Sequence, residues 1–374
     1  MRTKSLGVLA GTAAIALTLT GCGSSTTKTS TPSTGGSTAA TPGSGAKTGK
    51  VGVILPDATT SPRWEANDRP LLKAAFDAAG IAADIQNADG KVAKFGTLCD
   101  SMITSGVNVL LIVNLDSDSG KACLKKAQTA GIKTIDYDRL TLGGEASYYV
   151  SFDNVVVGKL MGDGLQKCLT DAKKTTANVV LIDGDPTDNN AALFKEGYKK
   201  SLEGGSGIKI VGDQTGKWDA TKAGTAFEQL FTQNGGKVDG VLSANDTMAG
   251  GIIARLKANK LNGKVPVTGQ DASVPGLQAI LAGDQCMTVY KAIKKEADAA
   301  SQLAIALIQG KDAASIANST VMDTKLNKAV PSALEVPVAI FKDNVKDVIA
   351  DGYQTKADVC TAAYAAACAK AGIS

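Results

Sequence analysis

The chain has 374 residues, 44% of them apolar and 20% charged. That is enough apolar material for a sizeable core, and it excludes wholesale disorder and a polytopic membrane protein. Forty basic residues face 36 acidic ones, a net charge of +4 without long like-charge runs, so the clustered basic face of a nucleic-acid-binding protein is missing. No histidine occurs. Ser-His-Asp triads, Cys-His dyads, histidine proton shuttles and ordinary zinc enzymes are therefore excluded.

Arg2 and Lys4 precede a mostly apolar run, Leu6–Leu19, which is too short and too rich in Gly and Thr to span a membrane. It reads as a secretory signal. Leu19-Thr20-Gly21-Cys22 follows and resembles the lipobox of bacterial lipoproteins. It predicts removal of residues 1–21 and a lipidated Cys22. The alternative is an ordinary signal peptide with a chance cysteine. Residues 23–49 hold 6 Gly, 6 Ser, 8 Thr and 2 Pro, a composition that builds no core and reads as a flexible tether reaching roughly 30 Å. Lipid, tether and body together predict an extracytoplasmic protein anchored to the outer face of the cell membrane through Cys22.

From Lys50 the pattern is strand, loop, helix, repeated. Apolar runs at Val51–Leu55, Ala83–Gln86, Val109–Val113 and Lys133–Asp136 form a first series. A second begins after Ser151-Phe152-Asp153-Asn154, with runs at Asn178–Ile182, Ile208–Val211, Gly240–Ser243 and Val265–Thr268. Amphipathic stretches separate the runs, so parallel sheets with right-handed crossovers are expected. Two similar series predict two α/β lobes. Met287–Tyr290 and a helix from about Ala292 to Gln309 read as a return toward the first lobe.

Ligands of open α/β sheets bind beyond the carboxyl ends of the strands. In the first series those ends carry Arg63-Trp64-Glu65, then Asn87 and Asp89, Asn114 and Asp116, and Asp138-Arg139. In the second they carry Asp188-Asn189-Asn190, Trp218-Asp219, Asn245-Asp246 and Gln270-Asp271, with Tyr290-Lys291 last. Both tryptophans of the chain thus fall at the same ends of two facing lobes. Planar Asp, Asn and Arg side chains suit paired hydroxyls, and an aromatic plate suits the C–H face of a pyranose. A phosphate ligand would want a glycine-rich loop opening a helix, and no such motif follows the first strand. Asp138, Asp188 and Asn245 also read as caps of the segments that follow them.

Apart from Cys22 there are six cysteines, an even number compatible with three disulfides in an exported chain. Cys99 and Cys123 fall on successive helices, and Cys360 and Cys368 are close enough in sequence to staple the tail. That leaves Cys168 with Cys286. None has metal-like spacing, so no metal and no cofactor are expected.

The chain resembles the periplasmic-binding-protein-like sugar receptors of ABC transporters, in their ribose/xylose-binding group. The matching stretches include Arg63-Trp64, Tyr137-Asp138-Arg139, Ser151-Phe152-Asp153-Asn154-Val155, Asp188-Asn189-Asn190-Ala191, Val211-Gly212-Asp213-Gln214, Ser243-Ala244-Asn245-Asp246, Gly269-Gln270-Asp271-Ala272 and Met287-Thr288-Val289-Tyr290-Lys291. They run in order over about residues 50–355. The resemblance implies the type I fold of that family, two doubly wound parallel-sheet lobes joined by a multi-segment hinge. One lobe would take residues 50–153 plus about 291–320, the other 154–290 plus about 321–355, with a Cys-containing tail at 356–374. It also implies a monomer that closes over one monosaccharide, D-xylose, and hands it to an ABC permease. Carried over residue by residue, Arg63, Trp64, Asp138 and Arg139 would meet the sugar from the first lobe. Asp188, Asn190, Trp218, Asn245, Asp271 and Lys291 would meet it from the second lobe and hinge, and the two tryptophans would sandwich the ring. Two other readings stand beside this one. The first is an extracellular glycosidase with two Asp carboxylates as acid and base, against which no catalytic motif is recognisable. The second is a lipoprotein presenting sugar to a receptor kinase.

Overall fold

The computed structural model describes residues 48–373; the expected signal, Cys22 and nearly all of the tether lie outside the described residues. The first lobe is built on a seven-stranded sheet. Its strands are β1 (Lys50–Leu55), β2 (Ala82–Asn87), β3 (Val109–Ile112), β4 (Lys133–Tyr137), β5 (Tyr148–Phe152), β10 (Ser319–Asp323) and β11 (Lys328–Glu335). They lie in the order β10-β11-β5-β4-β3-β1-β2, all parallel except for the β10–β11 hairpin. β3 is buried at every residue, as a strand must be when helices cover both faces. Those helices are α1 (Arg69–Ala78), α2 (Val92–Thr104), α3 (Ser117–Thr129) and α9 (Ile293–Gln309).

The second lobe has a three-stranded parallel sheet, β7 (Ile208–Thr215), β6 (Ala177–Asp183) and β8 (Gly240–Ser243), in that order. Around it pack α4 (Asn154–Asp171), α5 (Asn189–Glu203), α6 (Ala220–Gln233), α7 (Asp246–Ala258) and α8 (Val274–Ala282). An antiparallel pair, β9 (Thr288–Tyr290) and β12 (Val338–Ile340), and the short helices α10 (Val345–Ala350), α11 (Lys356–Val359) and α12 (Ala365–Lys370) complete it. The expected strand Val265–Thr268 is reduced to a single bridge, Val241 to Val267. The chain passes between lobes at Asp153, at Lys291–Ala292 and between Glu335 and Val338. Two of these passages are tied together, since the Asp153 N–H donates to the Glu335 carbonyl at 3.2 Å.

Two lobe boundaries differ from the sequence reading. Residues 321–335, expected in the second lobe, belong to the first, because β11 pairs in parallel with β5 from Ser332↔Tyr149 to Glu335↔Phe152. A short, Pro-containing segment has no periodicity that reveals its sheet. Residues 356–373, expected as a separate tail, pack onto α8 through Val359, Cys368 and Ile373 in one apolar cluster with Leu277, Ile280 and Leu281.

Polar residues at the strand ends start the helices. Asp116, Asp153, Asp188, Asp219 and Asn245 each accept a backbone N–H of the first turn of α3, α4, α5, α6 and α7, offsetting donors that a helix start leaves unpaired. Three disulfides staple the body: Cys99–Cys123 joins α2 to α3, Cys168–Cys286 joins α4 to the start of β9, and Cys360–Cys368 closes an eight-residue span. Each constrains the unfolded chain, typically by about 2–4 kcal/mol.

Where α4 crosses α5, Gly158 and Gly197 let the backbones meet, because a Cβ at 158 would run into the Phe194 carbonyl and one at 197 into that of Val155. α5 also carries Asn190 and Phe194 toward the interlobe cleft. Gly158→Val should therefore lower stability by about 1–3 kcal/mol, as overpacked contacts do, and thermal unfolding will show it as a lowered Tm. An unchanged Tm would mean that the helices part without cost.

Candidate functional site

The cleft side of the first lobe is organised by Arg63. It precedes a π-helical turn, Trp64–Asp68, in which the Arg69 N–H reaches back to the Trp64 carbonyl. Pro70 has no N–H to give to the carbonyl four residues earlier, so α spacing is not kept through this turn. Asp68 is thereby brought under Arg63, which donates to it through Nε (2.9 Å) and Nη2 (2.7 Å). Nη1 donates to Asp138 Oδ2 at 2.6 Å and Nη2 to Glu296 Oε2 at 2.5 Å. Tyr137 Oη donates to the same Asp68 at 2.5 Å. A guanidinium has five N–H groups, and four serve these carboxylates. One, on Nη1, is left for the cleft.

Burial works to lower the Arg63 pKa, but the charges of Asp68, Glu296 and Asp138 outweigh it and raise it well above the ordinary value. Burial raises Glu296 well above the usual carboxylate range and also raises Asp68, with Arg63 opposing in both. Asp138 goes the other way. Burial pushes it up, yet Lys291, Arg63 and Arg139 together hold it below the ordinary value.

Asp138, at the end of β4, is the meeting point of the lobes. Asn190 Nδ2 donates to its Oδ1 at 2.9 Å and to its carbonyl at 3.0 Å, and Lys291 Nζ lies 3.7 Å from Oδ2. Further bonds cross the cleft: Ser61 Oγ to Asp271 Oδ2 at 3.0 Å, and Asn245 Nδ2 to the Thr60 carbonyl at 3.4 Å. Arg139 Nε lies 3.0 Å from Asp188 Oδ2, off the hydrogen-bonding angle. Lys291 Nζ is also 3.6 Å from Asp271 Oδ1. These contacts describe a closed form.

Between the lobes remains a cavity of about 30 Å³, bordered by Arg63, Trp64, Asp138, Arg139, Asp188, Asn190, Trp218, Asn245, Asp271 and Lys291. All ten residues carried over from the family resemblance thus come together, joined by Gln270 of the strand-end set, whereas Asn87, Asp89, Asn114 and Asp116 do not border the cavity. The structure adds Thr60, Ser61 and Phe194 to the wall. Phe194 follows Asn190 by one helical turn, a spacing that puts both on one face of α5. Glu296 escaped the sequence reading because only the fold brings α9 to Arg63, and Asp68, five residues after Arg63, because the π-helical turn rather than α spacing seats it there.

The tryptophans meet the cavity differently. Trp64 lies under the Arg63 guanidinium, 4.3 Å from its ring centroid, with that of Arg139 at 5.8 Å. Trp218 lies flat against Gly184, where any Cβ would overlap the indole, and sets an edge against Phe194 at 6.3 Å and 75°. Both indole N–H groups are buried without an acceptor among the described residues. Buried donors are normally paired, so the two point to an acceptor from outside the described residues. Asp138, Trp218 and Asp271 also have φ of +62°, +59° and +102°. A bulky tryptophan in that region is a strained outlier, and such residues cluster at ligand sites.

Behind Asn245 stands Asp246, which accepts from Gln285 Nε2 (2.7 Å), Thr288 Oγ1 (2.8 Å) and the Ser273 N–H (2.9 Å). Burial outweighs these donors and pushes its carboxyl from 3.8 up to about 7. The folded chain then keeps a proton that the unfolded chain releases near pH 4, so raising the pH from about 4 to about 7 costs stability. Asp246→Asn should flatten the fall in Tm across that window. Wild-type and variant profiles of equal slope would place the proton elsewhere.

Residues 51–312 match the model of the periplasmic binding protein domain. A D-xylose-binding periplasmic protein of Escherichia coli is 35% identical over 322 residues, covering 84% of this chain and 93% of the relative. A multiple sugar-binding periplasmic receptor of Rhizobium radiobacter is 34% identical, covering 85% and 94%. Among solved structures, a carbohydrate transporter solute-binding protein from Chloroflexus aurantiacus, in complex with D-glucose, superposes with a TM-score of 0.75 at 29% identity, covering 82% of this chain and 97% of that one. With the interlobe cleft, the three chain passages and these matches together, the chain belongs to the periplasmic binding protein family, in its type I fold.

Proposed function

We propose that this protein is the solute-binding component of an ABC importer, that it closes over one monosaccharide, and that D-xylose is its ligand. The observation that carries the reading is a cavity walled by Asp, Asn, Arg and Lys from both lobes and by two tryptophans whose buried indole N–H groups have no acceptor among the described residues. Hydroxyls both donate and accept, so a polyol satisfies the indoles and the carboxylates at once. The site lies between the lobes and is walled by residues of both, an arrangement that takes up a small molecule by hinge closure rather than a polymer, which speaks against a glycosidase. The relatives named for xylose and for several sugars support the ligand class.

Closure is the working step. Ligand that touches both lobes stabilises only the closed form, and a shift from 1:99 to 99:1 takes about 5.5 kcal/mol. Hydrogen bonds to charged groups, at about 1.5–3 kcal/mol each, supply that from a few contacts. The protein is further proposed to be extracytoplasmic, anchored through lipidated Cys22 and its 23–49 tether, and to serve as a monomer; the Leu19-Thr20-Gly21-Cys22 pattern supports the anchor.

Isothermal titration of residues 50–374 with D-xylose, D-glucose, L-arabinose and D-ribose, followed by tryptophan fluorescence, tests the ligand. One-to-one xylose binding with a fluorescence change is expected. Binding to another aldose alone moves the substrate, and binding to none sinks the sugar reading. Asp271→Ala should weaken binding by about tenfold or more, the loss of one charged hydrogen bond. Cys22→Ser should abolish incorporation of labelled fatty acid and release the chain from membranes, and a variant that stays labelled would refute the anchor.

A further inference from the structure

One loop of the cleft is held from outside it. Asp271 and Ala272 have φ of +102° and +49°, a conformation that L-residues rarely keep without support. From the cleft side Asp271 is met by Ser61 and Lys291. The rear of the loop is covered by the segment Asp351–Ile373. Gln354 Nε2 donates to the Ala272 carbonyl at 3.3 Å, and Ala272 is fully buried in the apolar cluster that holds Val359, Cys368 and Ile373. Tyr353 packs its ring against Tyr290 at 5.1 Å, and Tyr290 Oη donates to Asp351 at 2.5 Å. Tyr290 is the residue before Lys291. Burial raises the Tyr353 phenol well above its ordinary pKa, and the first charge acting in the same direction is that of Asp271.

The segment is itself fixed in two ways. Gln278 of α8 donates to the carbonyls of Asp358 (3.0 Å) and Val359 (3.3 Å). The Cys360–Cys368 disulfide, with its Cα atoms 5.9 Å apart, closes the turn from which Val359 and Cys368 enter the cluster. α8 begins at Ser273, directly after the strained pair.

We propose that the disulfide-closed segment Asp351–Ile373 is a positioning element of the binding site: through Gln354 and Tyr353 it sets the Asp271–Ala272 loop and Lys291 for ligand. It deepens the proposed function and rests on that reading. Gln354 and Tyr353 touch no ligand; they act through Ala272 and Tyr290. Opening the disulfide frees Val359 and Cys368 from the back of the loop, and the strained pair relaxes toward common backbone angles.

The test uses the processed full-length chain and D-xylose, with D-glucose as the second probe. Kd and koff are measured well below Tm for wild type, Cys360→Ser/Cys368→Ser, Gln354→Leu, Gln354→Lys and, as control, Cys99→Ser/Cys123→Ser. The control removes a disulfide of the first lobe that lies outside the cleft wall. Opening the Cys360–Cys368 staple, or Gln354→Leu, should weaken binding by about five- to tenfold through a faster koff, the size of one lost hydrogen bond. Gln354→Lys, which keeps an N–H donor, should restore most of the loss. The control should lose Tm without losing affinity. If both staple variants lose Tm equally and neither loses affinity, the segment is only structural and the inference is overturned. The same holds if Gln354→Lys binds no better than Gln354→Leu. Should wild type bind neither sugar, the proposed function fails first and takes the inference with it.

Discussion

The cleft depends on one buried cation. Arg63 is 2% exposed and holds Asp68 from the π-helical turn, Asp138 from the end of β4 and Glu296 from α9. These segments lie far apart in sequence and meet only around the guanidinium. A buried charge left alone is very costly, whereas one hydrogen-bonded on several sides can be kept. Three carboxylates face the one guanidinium; burial raises Glu296 and Asp68 against the pull of Arg63, while Lys291 and Arg139 join Arg63 in holding Asp138 down. Because α9 follows the second passage of the chain between lobes, the same ion cluster that fixes Asp138 in the cleft also anchors the hinge.

From Asp138 the influence reaches the second lobe. Its carboxylate is fixed by Arg63 on one oxygen and offered to Asn190 on the other. Its carbonyl accepts from Tyr149, Ser151 and Asn190. Polar contacts around the cavity thus join the two lobes. The positive φ of Trp218 and Asp271 falls on the wall of the same cavity, the kind of place where strained backbone is kept.

Caps and cleft residues turn out to be the same groups. Asp188 and Asn245 each accept a first-turn N–H of their helix and also border the cavity. The cap fixes the rotamer, and the fixed rotamer leaves the other side-chain atoms at the cleft. The pattern is not universal, since α2 and α9 begin at Lys91 and Ala292 without a side-chain cap.

Local chemistry made much of this legible in the chain itself. Alternating apolar runs and amphipathic stretches pointed to the two α/β lobes, strand ends to a polar set from which the family resemblance picked the ten cavity residues, and cysteine placement to Cys99–Cys123 and Cys360–Cys368, with Cys168–Cys286 as the pair left over. The lobes and strand ends follow from short-range periodicity and from polar residues at a fixed place in a repeating unit. Only the tertiary structure decided the rest. β11 joins β5 through backbone hydrogen bonds that no side-chain pattern announces, and Val265–Thr268 fails to become a full strand. Glu296 closes on Arg63, and residues 351–373 reach the back of the Asp271 loop. These are long-range pairings, set by which surfaces the whole chain can bury together, and a sequence read in windows does not contain that information.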